Sequence, residues 1–254
     1  MKRFVQSRIE WLSVLALVVL LVVMGFIDPI AQSQDYHHFI DTRSIDLGGL
    51  FIPRAADVLS NLAFVLVGLA GIALISRFDP QQQPALGIFF VGLILTGMGS
   101  AAYHWAPNDQ TLVWDRLPMM LAFSGALGAI ATERLGREPG LHWMLSWIYL
   151  GSLAIALWLI GDDLRLWVIV QLGGVILIAL WLINPPVQGR ARALPWQWLI
   201  VSYVLAKGFE LNDEAIWRMT NGFVSGHALK HIVAAAGLIP VLVFAAIEPE
   251  RTRP

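Results

Sequence analysis

Cysteine is absent from the 254 residues, which excludes disulfides, iron–sulfur clusters and thiolate zinc sites and leaves His, Asp and Glu as metal ligands. Charge is scarce too. Charged residues make up 14% of the chain, where an ordinary soluble domain carries about 25%. With 17 Lys and Arg against 18 Asp and Glu, no basic excess exists to hold a phosphate backbone, and nucleic acid is excluded as a partner. What is abundant is apolar: 57% of residues are hydrophobic and the mean hydropathy is +0.67. This composition describes an integral membrane protein.

A bilayer core needs roughly 20 apolar residues in a helix. Eight windows of about that length are expected to cross: Ile9 to Ile27, Ala55 to Ser76, Pro84 to Trp105, Arg116 to Glu133, Leu141 to Ile160, Leu164 to Ile183, Leu194 to Phe209 and Ser225 to Ile247. Each should be helical, because lipid offers no partners to backbone polar groups. An inside N-terminus puts Lys2, Arg3, Arg8, Arg77, Arg134, Arg137, Arg190, Arg192, Arg251 and Arg253 on one side. The opposite loops are acid-rich, with Asp28, Asp35, Asp41, Asp46, Asp109, Asp162, Asp163, Asp213 and Glu214. Cytoplasmic loops collect cations, so both termini are expected in the cytoplasm, and a bacterial inner membrane is the expected location.

The first window also resembles a signal peptide, but it is long for a signal core and Asp28-Pro29-Ile30-Ala31 offers no clean cleavage site. It is expected to stay as an anchor. The resulting architecture is all-α, a polytopic bundle with an anchor helix in residues 1–30 and a seven-helix domain in residues 31–254.

Ionisable groups at membrane depth are costly and mark function. Ser100 and His104 stand one turn apart at the outer end of the third window, and His227 and His231 one turn apart at the outer start of the eighth. Three imidazoles with an open fourth position describe a catalytic zinc site, and Asp115, eleven residues beyond His104, is close enough to reach it. A single His in an apolar helix is more often a packing group, and a His pair can also hold haem; the convergence of two helices on one side favours metal. Lys207, Glu210 and Asp213 form either a charge-paired network or a solvated interfacial cluster. Ser60 and Asn61 are expected to be structural, Lys230 to snorkel to the interface, and His37, His38 and His142 not to be ligands.

As a set, Ser100-x-x-x-His104, Asp115, Lys207-Gly-Phe-Glu210-x-x-Asp213 and Ser225-Gly-His227-x-Leu-Lys230-His231 resemble the alkaline ceramidase family. That family lies within a superfamily of seven-helix membrane hydrolases that includes the adiponectin and progestin receptors. Asp57-Val-Leu-Ser60-Asn61 resembles the family's opening motif, and the resemblance spans about Asp35 to Ile247. It implies a zinc ion held by His104, His227 and His231, Ser100 and Asp115 as catalytic residues, and hydrolysis of a ceramide or similar long-chain lipid amide. Eukaryotic members also bind calcium through acidic residues, but Arg54 stands where a carboxylate is expected, and calcium is therefore doubtful. The rival readings are a zinc-stabilised receptor or structural bundle without hydrolysis, and a haem-binding membrane protein.

Overall fold

The computed structural model describes residues 2–183, 191 and 193–247, with side chains from residue 8 onward. The expected inner cations Arg190, Arg192, Arg251 and Arg253, and the side chains of Lys2 and Arg3, lie outside the described residues. Apart from a short hairpin of β1 (Ile45–Asp46) and β2 (Phe51–Ile52), the regular structure is helical. The helices are α1 (Lys2–Gly25), α2 (Ala55–Ser60), α3 (Leu62–Ala73), α4 (Gln83–Trp105), α5 (Asp109–Arg134) and α6 (Arg137–Gly161). They continue with α7 (Arg165–Val168), α8 (Gly174–Ile183), α9 (Gln197–Leu211), α10 (Asp213–Met219), α11 (Gly226–Ala236) and α12 (Ile239–Ile247).

Six stretches among the described residues are long and apolar enough to cross a membrane: Arg8–Gly25, Ala55–Ala73, Gln83–Trp105, Arg137–Gly161, Arg165–Ile183 and Gly226–Ile247. The protein is a multi-pass membrane protein. Three of these stretches are interrupted in ways that hydropathy does not register. The second breaks at Asn61, whose amide turns back onto the Asp57 carbonyl at 2.8 Å. The fifth passes through a π-helical turn at Ile169–Gly173. The last breaks between α11 and α12, where Pro240 lacks the donor a continuous helix needs.

The other two windows form α5 and α9. The fifteen residues of α9 are short for a span, and α5 carries Asp115, Arg116, Glu133 and Arg134. Those charges are tolerated because α5 runs between α4 and α6, with every residue from Ser124 to Arg134 buried. Glu133 anchors one end of the bundle: its Oε1 accepts from Gln82 Nε2 at 2.7 Å, Leu194 N at 3.0 Å and Trp196 Nε1 at 2.7 Å. At the opposite end the acid-rich loops meet, through Gln34 to Asp109 at 3.0 Å, Leu164 N to the Ile30 carbonyl at 2.8 Å and Arg43 to the Phe223 carbonyl at 3.0 Å. Helix α1 packs on α8 and the π-turn, where Trp181 Nε1 donates to Ser13 Oγ at 2.9 Å.

The packing of α4 against α5 is set by small residues. A side chain at Gly92 would overlap the Ala122 backbone, and one at Gly99 would overlap the Trp114 carbonyl oxygen. Pro118 supplies no N–H to that carbonyl, four residues upstream, so it is free to face Gly99. Ser100 is thereby brought against the first turns of α5.

Candidate metal and catalytic site

Two helix ends deliver the imidazoles. His104 lies in the last turn of α4, with Arg54 holding that end: its guanidinium donates to the His104 and Trp105 carbonyls, each at 2.6 Å. These are terminal carbonyls with no intrahelical donor, which a cation satisfies. His227 and His231 open α11. Ser225 caps that helix by accepting from Ala228 N at 3.0 Å, and Asp213 accepts from His227 N at 2.9 Å. A side chain at Gly226 would overlap the Phe209 carbonyl, so glycine there lets α11 start against the end of α9. The Ser-Gly-His order thus has a separate structural reason at each position. Burial holds the Asp213 carboxyl above its ordinary range, opposed by the backbone N–H groups of His227, Gly226 and Ile40.

One ligand atom from each of His104, His227 and His231 lies within 4.8 Å of the others, all three residues are buried, and the cluster could hold a metal ion. The Nε2 atoms of His104 and His227 are 3.3 Å apart. Two neutral imidazole lone pairs at that separation repel unless a proton or a cation lies between them. Two ligands about 2.0–2.1 Å from a tetrahedral ion stand about 3.3–3.4 Å apart, so the spacing fits. The third ring is oriented from behind. Ser60 Oγ donates to the Asp57 carbonyl at 3.0 Å and meets His231 Nδ1 at 2.8 Å. A hydroxyl whose proton is already used accepts the Nδ1 proton, which leaves the Nε2 lone pair for a metal. Phe39, from the long loop between α1 and α2, lies edge-on against His104 and His227 with ring centres 4.7 and 4.6 Å apart and covers that side.

A cavity of about 290 Å³ opens beside His231. It is lined by polar side chains, among them Ser100, Asp115, Lys207, Glu210 and Lys230, and by apolar ones, among them Phe89, Leu93, Met119 and Leu238. Ser100 lies within reach of the Asp115 carboxylate. The structure therefore brings Ser100 and Asp115 into the cavity that His231 lines. His37 is elsewhere engaged, with Nδ1 2.9 Å from Tyr103 Oη and Nε2 3.0 Å from Asp109, a latch that pins the loop to α4 and α5. His38 and His142 are exposed.

Three expectations need correction. Lys230 does not snorkel: it lines the cavity and donates to Glu210 at 2.7 Å, while Lys207 donates to the other oxygen of Glu210 at 2.5 Å. Asp213 does not join that network, because its carboxylate caps α11. Ser60 is more than a helix-joining group, since it orients His231. Sequence reasoning also passed over Arg116, which lines the cavity beside Asp115; a second charge next to an intramembrane carboxylate was the available signal. No protein-family model, curated protein or solved structure matches the chain.

Proposed function

We propose that the protein is a zinc-dependent hydrolase of the alkaline ceramidase type, cleaving the amide bond of a ceramide or similar long-chain lipid amide. The observation that carries this reading is the placement of His231, one of three convergent imidazoles, on one cavity with Ser100, Asp115 and apolar side chains. A purely structural metal site has no use for a proton acceptor and a partly apolar cavity beside it. The ring centroids, 4.7, 5.0 and 5.1 Å apart, leave no room for a macrocycle between any two imidazoles, which favours zinc over haem.

Zinc held by His104, His227 and His231 would supply Lewis acidity, lowering the pKa of water and polarising the amide carbonyl. The chain's own residues do the rest. Asp115 takes a proton from the attacking water as its oxygen bonds to the acyl carbon, and returns it to the amine nitrogen as the C–N bond breaks and its electron pair stays on nitrogen. Ser100 holds the Asp115 carboxylate in place and can turn its hydroxyl toward the developing oxyanion. The apolar side chains of the cavity receive the acyl chain, and Phe39 covers the His104 and His227 rings. The products are a fatty acid and a free amine. In this reading α5 and α9 join the six apolar stretches to give eight crossings in a bacterial inner membrane, with the termini cytoplasmic and the site toward the outer face.

Metal content of the detergent-purified protein tests the reading first. About one zinc per chain is expected in the wild type and none in His231→Ala; unchanged metal in that variant refutes the three-His assignment. Asp115→Asn is expected to keep its zinc while losing about 10²- to 10⁴-fold in lipid-amide turnover. Full turnover there removes Asp115 from the chemistry.

A further inference from the structure

The cavity holds a cation that the hydrolysis described above does not use. Arg116 is buried, 6% exposed, with its guanidinium 4.2 Å from the ring centre of Trp158, 5.7 Å from that of Trp167 and 5.9 Å from that of Tyr36. Its Nη2 donates to Gln32 Oε1 at 2.6 Å, but Nη1 has no hydrogen-bond partner among the described residues. Guanidinium keeps its proton at any ordinary pH, so a buried Nη1 without an acceptor is costly and marks a place for an incoming one. Asp115 attracts the guanidinium through space but supplies no hydrogen bond to Nη1. Glu210 is shared by Lys207 and Lys230. Three cations thus line the cavity against two carboxylates, and a divalent ion on the imidazoles adds to the excess. A neutral amide leaves that excess in place; an anionic one removes it.

We propose that Arg116 recognises an anionic oxygen on the amine half of the substrate, so that the preferred substrates are acyl amides whose amine carries a carboxylate or phosphate. The proposal rests on the hydrolase reading and names its substrate class. The amine half is indicated because Asp115, which serves the leaving nitrogen, is the adjacent residue of α5, while Phe89 and Leu93, which would take the acyl chain, lie about two to three helical turns from Ser100 on α4. The aromatic rings around the guanidinium strengthen a charge-assisted hydrogen bond there by keeping it dry.

The test compares N-palmitoylglycine, N-palmitoyl-phosphoethanolamine and the neutral N-palmitoylethanolamine with zinc-loaded wild type, Arg116→Gln and Arg116→Lys. Turnover is measured alongside binding by the intrinsic tryptophan fluorescence of the full chain. In the wild type an anionic lipid is expected to be favoured about tenfold or more, mainly in KM. Arg116→Gln should lose that preference, read as the ratio of anionic to neutral amide in each variant, and Arg116→Lys should restore part of it. The better of the two anions identifies the source of the charge. Equal handling of charged and neutral amides by the wild type overturns the proposal, as does a preference that survives in Arg116→Gln. If nothing is cleaved but the anionic lipids still bind the wild type more tightly than Arg116→Gln, the anion site stands and the hydrolase reading falls.

Discussion

Ser60 shows how much of the site depends on groups that touch no metal. Its hydroxyl is committed to the Asp57 carbonyl and so accepts from His231, fixing which ring nitrogen can ligate. Ser60→Ala leaves all three imidazoles in place but frees one to rotate and change tautomer. Zinc affinity should fall about 10- to 100-fold, read by competition with a chelator, with secondary structure unchanged. An affinity equal to wild type would return Ser60 to a helix-packing role. The His pairs themselves were legible in the sequence, because a four-residue step puts two side chains on one helix face whatever surrounds the helix. Ser60, Lys230 and Arg116 were not, since their roles depend on what a neighbouring helix presents. Lys230 points away from His231 on a helical wheel, and only the position of Glu210 on α9 shows that this direction leads into the cavity. Gln32 and the Trp158 ring, which hold Arg116, come from a loop and a helix distant in sequence.

Among the elements, α4 and α5 determine whether Ser100 meets Asp115. Hydropathy placed both windows, but it could not locate the break at Asn61, the π-turn or the short α10, because each follows from local backbone partners rather than from apolar content. The contact at Gly99 is more readily tested. An added methyl there would overlap the Trp114 carbonyl oxygen of the neighbouring helix backbone, and backbone cannot step aside as a side-chain end can. Gly99→Ala should therefore push α4 from α5, cost about 1–3 kcal/mol and reduce lipid-amide turnover by separating Ser100 from Asp115. Gly87→Ala on the same helix meets open space and should be neutral or slightly stabilising. Thermal unfolding in detergent with parallel activity assays distinguishes the two. If both variants behave alike, close helix approach is not what positions the pair.

At the scale of the whole molecule, the two ends of the bundle differ in charge. The acid-rich loops are bound to one another at the end that carries the imidazoles, while Arg134, Arg137 and Arg77 lie toward the other. Cations retained on the cytoplasmic side would turn the imidazole end outward. Because the chain contains no cysteine, single cysteines report on this without background. Asp46, in the hairpin of the long loop, and Glu138, in the first turn of α6, are both exposed and lie at opposite ends. Asp46→Cys should react with a membrane-impermeant maleimide on intact spheroplasts, and Glu138→Cys only after permeabilisation. The reverse pattern would place the candidate site on the cytoplasmic face, where its lipid would have to come from the inner leaflet. Labelling of both from outside would mean that Ala55–Ala73, α4 and α5 do not all cross, and the eight-crossing arrangement would have to be abandoned.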